Sequence, residues 1–183
     1  NQFTLQILNI HEAVPGHYVQ LIHANKSPSL IQNLLQNGAF IEGWALYAER
    51  MMMEEGWDKN TSINKTEMSD EMWLMYYKFH LRGVCNTILD YSIHCRNMSE
   101  KDAMHLMQVE AFQEKSEAEG KWRRAKLTQV QLCSYFTGFY EIYNFREEIK
   151  KKQGTQFNLK RFNDQLLSFG APPVKYIREM FGR

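Results

Sequence analysis

With 183 residues, 44% of them hydrophobic and 13% aromatic, the protein can bury a sizeable core as one globular domain, and its composition excludes disorder. Lys and Arg total 22 against 21 Asp and Glu, a net charge of +1, which excludes a general attraction for nucleic acid or acidic membrane and leaves partners to be argued locally. No apolar run approaches the roughly 18 residues of a membrane span, and the first residues lack a signal-peptide pattern, so the sequence reads as soluble with its compartment, secreted or cytoplasmic, open.

Phe3, Ile7, Ile10, Val14, Tyr18 and Leu21 recur near a 3.6-residue period and predict a helix over residues 3–24, interrupted at Pro15. A turn follows at residues 25–29, with Ser27 or Ser29 capping a short helix to Gln36 that Asn37-Gly38 closes. Phe40, Trp44, Leu46, Tyr47 and Met51 predict a helix over 39–55, ended by Gly56; residues 57–66 are polar and aperiodic, a surface loop. The longest helix is expected from Glu67 to Cys95, with Gly83 inside it. That glycine costs about 1 kcal/mol against Ala, which points to close packing or a bend.

Further on, helices are expected over 103–115, with Ser99 as a weak cap, and over 116–127 and 130–152, the last ending in a Lys run before Gly154. Asn158 caps a helix over 159–169, and Pro172-Pro173 opens a last short one. No strand-like alternation occurs, so the fold class is all-α, one helical domain over residues 1–183 with roughly seven to nine helices. Cys85, Cys95 and Cys133 are scattered without a CxxC pair, which indicates neither a disulfide framework nor a cysteine zinc site. The first residue is Asn, and the first motif arrives ten residues later inside a helix, so the sequence is expected to be the C-terminal part of a larger protein, with the missing N-terminal portion as its partner.

The chemistry gathers at His11-Glu12-Ala13-Val14-Pro15-Gly16-His17, followed by Glu42 in Glu42-Gly43-Trp44-Ala45-Leu46-Tyr47-Ala48-Glu49. In a regular zinc-peptidase motif two His four apart share one helical face, and the Glu beside the first becomes the general base. Here they are six apart, and six residues at roughly 100° each would turn the second ring about 120° away. Pro15 and Gly16 can loop out two residues and bring His17 back beside His11.

His11, His17 and Glu42 then supply a His-His-Glu zinc set, with Glu12 placed to move protons. Glu49, on the same helical face as Glu42, could replace it as ligand, orient a His, or be an exposed carboxylate. Trp44 and Tyr47 read as core. His94, Arg82 and Tyr135 are candidates for stabilising an oxyanion, although Arg82 could simply pair with Asp90 and Tyr135 could be packing. Lys150-Lys151-Lys152 and Arg123-Arg124 read as solvated helix faces.

His11-Glu12-x-x-Pro15-Gly16-His17-x-x-Gln20 with Glu42-Gly43-Trp44-Ala45-x-Tyr47-x-Glu49 resembles the bacterial domain-of-unknown-function family 885, itself similar to gluzincin metallopeptidases such as thimet oligopeptidase and carboxypeptidase Taq. Arg82, Asp90 and His94 match a recurring Arg…Asp-x-x-x-His segment, and Gln131-x-x-x-Tyr135-x-x-Gly138 a second one. The resemblance implies a mostly helical zincin-like catalytic domain, here a fragment, with Glu42 as third ligand. One departure is visible: Phe162-Asn163-Asp164 stands where Phe-His-Asp is expected.

The resulting expectation is a zinc-dependent hydrolase, a metallopeptidase acting on peptide substrates through zinc-activated water and the base Glu12. The alternatives are a helical binding or scaffold domain without turnover, and a metal-assisted reaction on a non-peptide substrate.

Overall fold

The structure, a computed structural model, describes residues 2–27, 29–57 and 70–182. Within them the protein is all-helical, without strands: α1 (Gln2–Glu12), α2 (His17–Ala24), α3 (Leu30–Leu34), α4 (Gly38–Glu54), α5 (Asp70–Arg96), α6 (Glu100–His105), α7 (Lys115–Leu127), α8 (Cys133–Gln153), α9 (Leu159–Ser168) and α10 (Val174–Met180). These ten exceed the expected seven to nine. The motif helix is two separate helices, and the helix expected over 103–115 begins at Glu100, passes into a π-helical turn at Leu106–Glu110 and stops before Phe112, whose φ of 52° leaves the right-handed region. Apart from Trp57, the expected loop at 57–66 lies outside the described residues, as does the helix start expected at Glu67.

Caps set several boundaries. Ser29 Oγ accepts from Gln32 N at 3.4 Å and starts α3, while Asn158 Oδ1 accepts from Arg161 N at 2.8 Å and starts α9. Asn37 does not close α3 as expected; its Oδ1 accepts from Phe40 N at 2.9 Å and opens α4.

Helix α4 is buried on several faces and organises the molecule. Phe40, Trp44 and Tyr47 pack with Ile142 and Phe145 of α8, Phe162 and Leu166 of α9 and Ile177 of α10. Each such side chain contributes roughly 1.5–3 kcal/mol on burial. A methyl group on Gly43 would overlap the backbone of Gly138, and one on Gly138 would overlap the Ala39 carbonyl oxygen. Lacking a Cβ at both positions, α4 and α8 touch backbone to backbone.

A second core joins α5, α6 and α7 around Leu89, Met107 and Trp122. A third seats Ile7 of α1 against Met53 of α4 and Met72 and Tyr76 of α5. Gly83 marks close packing and not a bend: α5 runs unbroken past it, and a Cβ there would lie 3.3 Å from Leu46 Cδ1. Among the described residues no helix is long and apolar enough to cross a membrane.

Candidate metal centre

α1 stops at Glu12 and α2 starts at His17, so the break spans four residues where the sequence suggests two. The Val14–Pro15 peptide is cis. Gly16 lies so close to the His11 carbonyl oxygen that a Cβ would overlap it. Trp44, fully buried on α4, donates its indole N–H to the Pro15 carbonyl at 2.9 Å and to that of Gly16 at 3.3 Å. Trp44 is therefore core, as expected, and also the tie that fixes the break against the helix carrying Glu42.

The consequence is convergence. The rings of His11 and His17 lie 4.8 Å apart, edge to face. Glu42 Oε2 is 3.5 Å from His17 Nε2 and 4.0 Å from His11 Nε2, and one potential ligand atom from each residue lies within 4.8 Å of the others. Tetrahedral bonds of about 2.0–2.2 Å separate donor atoms by roughly 3.3–3.6 Å. Two imidazoles and a carboxylate at this spacing could hold a zinc ion once the widest separation closes by about 1 Å.

Glu49, two turns along α4 from Glu42, is 2% exposed, which removes the exposed-carboxylate option. Its Oε1 lies 2.6 Å from His11 Nδ1. With the proton on Nδ1 donated to Glu49, His11 turns a bare Nε2 toward Glu42. Burial lowers the His11 pKa, but the bond to Glu49 and the charges of Glu49, Glu12 and Glu42 outweigh it and leave it raised. Burial raises the Glu49 pKa, with His11 opposing. The carboxylates of Glu49, Glu12 and Glu42 surround the half-buried His11 imidazole, an arrangement that would favour a divalent cation.

Beside His11 opens a cavity of about 230 Å³, on whose walls stand Glu12, Glu49, Arg82, Lys121 and Tyr135. The Tyr135 hydroxyl accepts from Gln131 Nε2 at 3.2 Å, which leaves its own hydrogen to donate into the cavity. Gln131 Oε1 in turn accepts from Arg124 Nη2 at 2.8 Å. Arg82 is ion-paired with Glu117 of α7 and not with Asp90, and its partial burial lowers its pKa.

Asp90 and His94 have other work. The two Asp90 oxygens accept from Val130 N at 3.1 Å and Leu132 N at 3.0 Å, and His94 Nε2 lies 2.9 Å from both the Ala125 and Thr128 carbonyl oxygens. Together they clasp the connection between α7 and α8, where Val130 holds a φ of 69°, unusual for a β-branched residue. His94 is thus not brought together with the metal-binding candidates. Asn163, at the position of the expected His, accepts from the Tyr47 hydroxyl at 3.0 Å and lines a separate groove with Pro15 and Trp44.

Sequence reasoning misses Lys121 and Arg124. Arg124 is exposed, as expected, and it also lines the cavity and holds Gln131. The signal is faint: Ala118, Trp122 and Ala125 form the buried face of α7, and Lys121 and Arg124 each sit one position before a buried residue. Burial, together with Arg82 and Arg124, pushes the Lys121 pKa down to about 8.

Two solved structures share this architecture. The first, "a putative lipoprotein of unknown function from Shewanella oneidensis", is 57% identical with a TM-score of 0.92, covering 100% of this chain and 32% of its own. The second, "the putative lipoprotein from Colwellia psychrerythraea", is 26% identical with a TM-score of 0.87, covering 97% of this chain and 29% of its own. The sequence therefore spans about a third of the length of these proteins. No curated protein matches it. Residues 1–180, including the paired motifs and the clasp, match the family described as "Bacterial protein of unknown function (DUF885)", and the chain belongs to that family.

Proposed function

We propose that this protein holds the catalytic centre of a zinc-dependent hydrolase, a metallopeptidase of zincin type, with His11, His17 and Glu42 as the metal ligands. The observation that supports it is the convergence of their three ligand atoms, with His11 lining a cavity that Glu12 also lines. A bound zinc ion would act as a Lewis acid on the scissile carbonyl and make an attacking water more acidic.

The protein's own residues do the rest. Glu12, adjacent in sequence to the ligand His11 and exposed at the cavity, takes a proton from the attacking water and delivers it to the leaving amine. Tyr135, its oxygen already engaged by Gln131, donates to the developing oxyanion. Arg82 adds positive charge to the same wall, held in place by Glu117. Glu49 keeps His11 in the tautomer that offers Nε2. His94, engaged by two carbonyls, has no part in this mechanism.

Purified protein reconstituted with zinc is expected to hold one ion per molecule by elemental analysis, and His17→Ala to lose it. Glu12→Gln is expected to keep the ion while lowering hydrolysis of a mixed peptide library by about 10²–10⁴-fold. Failure to retain zinc overturns metal catalysis, and undiminished turnover by Glu12→Gln overturns the assignment of the base.

A further inference from the structure

The cavity beside His11 is lined by charges of both signs. Glu12 of α1 and Glu49 of α4 are its acidic lining, and Arg82 of α5 comes near Lys121 and Arg124 of α7 as its basic lining. Of these three cations only Arg82 has an anionic partner among the described residues, Glu117. Arg124 is engaged with the neutral Gln131, and among the described residues no carboxylate lies within ion-pair distance of Lys121. Lys121 is largely withdrawn from solvent, with its pKa lowered first by that burial.

An ammonium held unpaired beside two guanidiniums costs the fold stability. A Leu or Met would fill the space without that cost. The arrangement becomes favourable once an anion enters, because charge-assisted hydrogen bonds in a sheltered cavity are among the stronger ones. Asn86 also lines the cavity and adds a neutral amide to the recognition.

We propose that Lys121, with Arg124 and Arg82, forms a carboxylate-binding subsite, so that the substrate is a peptide presenting a free carboxylate. A singly charged carboxylate suits the cavity better than a dianionic phosphate, since Glu12 stands on the same cavity and repels the second charge. The carboxylate comes from the C-terminus of the peptide or from an acidic side group on its last residue. The hydrolytic part of the proposal rests on the function proposed above; the binding part does not.

The test is calorimetric binding of a short N-acetylated peptide to metal-free wild-type protein and to zinc-loaded Glu12→Gln protein. The peptide is offered as the free acid ending in Leu, as its C-terminal amide, and as an amide ending in Glu. The free acid is expected to bind about tenfold more tightly than the Leu amide in both protein forms. Lys121→Met should erase most of that difference, and Lys121→Arg should retain it. A Glu amide that binds like the free acid assigns the charge to a side group; one that binds like the Leu amide assigns it to the C-terminus.

Equal binding of acid and amide, binding of neither, or an undiminished preference in Lys121→Met overturns the subsite. An acid preference in protein that hydrolyses nothing removes the proposed hydrolase and leaves the subsite standing. Hydrolysis of the Leu amide as fast as the free acid and the Glu amide does the reverse.

Discussion

At the scale of single residues, the pairing of buried Glu49 with half-buried His11 shows how a site is prepared before any ligand arrives. Glu49 is buried where it orients one imidazole, so Glu49→Gln is expected to weaken zinc binding by about 10–100-fold in chelator competition while leaving the far-UV circular dichroism unchanged. Lys121 is the opposite case, a residue whose cost is visible in the fold. Its folded pKa of about 8 lies below the ordinary 10.5. Below about pH 8 both folded and unfolded states carry the proton, and the fold bears the whole penalty; between about 8 and 10.5 the folded state alone releases it, the unfolded state binds more protons, and stability rises with pH. Lys121→Met should therefore raise Tm by roughly 2–4 °C at pH 7, with the gain shrinking at pH 9.5. An equal gain at both values would show that packing, not charge, is responsible. The meeting of His11, His17 and Glu42 is legible in the sequence because a candidate ligand set draws on particular residue types in a short span. Lys121 is not, because helical periodicity separates buried from solvated faces and is blind to a solvated-face residue leaning over a cavity that other helices build.

At the scale of elements, the helix boundaries around the site follow from single residues whose effect is local. Ser29, Asn158 and Pro15 are readable for that reason, since a cap or a ring acts on its immediate neighbours. Asn37 misleads because an Asn suits both the close of one helix and the start of the next, and only the bond to Phe40 N decides. The π-helical turn at Leu106–Glu110 leaves no sign in the apolar pattern. The role of Gly138 is equally hidden, since a glycine's reason lies on the helix it meets. Gly138→Ala is expected to cost about 3 kcal/mol or more, read as a lower urea midpoint, because the added methyl meets the α4 backbone, which lacks a flexible side group's freedom to move aside. Gly120 in α7 is the control: a Cβ there meets nothing within 4 Å, so Gly120→Ala should stabilise by about 0.5–1 kcal/mol.

At the scale of the whole molecule, the all-α class is legible from period alone, whereas the division into three cores is not, since α1, α4 and α5 come together only through long-range packing. The candidate ligands come from three helices, α1, α2 and α4. An ion held among them binds the folded state and not the unfolded one. Zinc at a hundred times its dissociation constant is accordingly expected to add about 2.7 kcal/mol, a rise in Tm of roughly 5–10 °C for a protein of this size, reversed by chelator; an unchanged Tm would mean that the three side groups hold no ion in solution. The glycine contact between α4 and α8 acts on this same centre as a spacer of fixed thickness. Glu42 precedes Gly43 by one residue and Tyr135 precedes Gly138 by three, so the spacing of the two helix segments that carry them is gauged by two backbones in contact. Under the proposed function, a centre spaced in this way would resist widening by exchange of side groups along α4 and α8. Changes of substrate preference among relatives should therefore accumulate on the α7 wall, where a residue such as Lys121 can be replaced without moving the ruler.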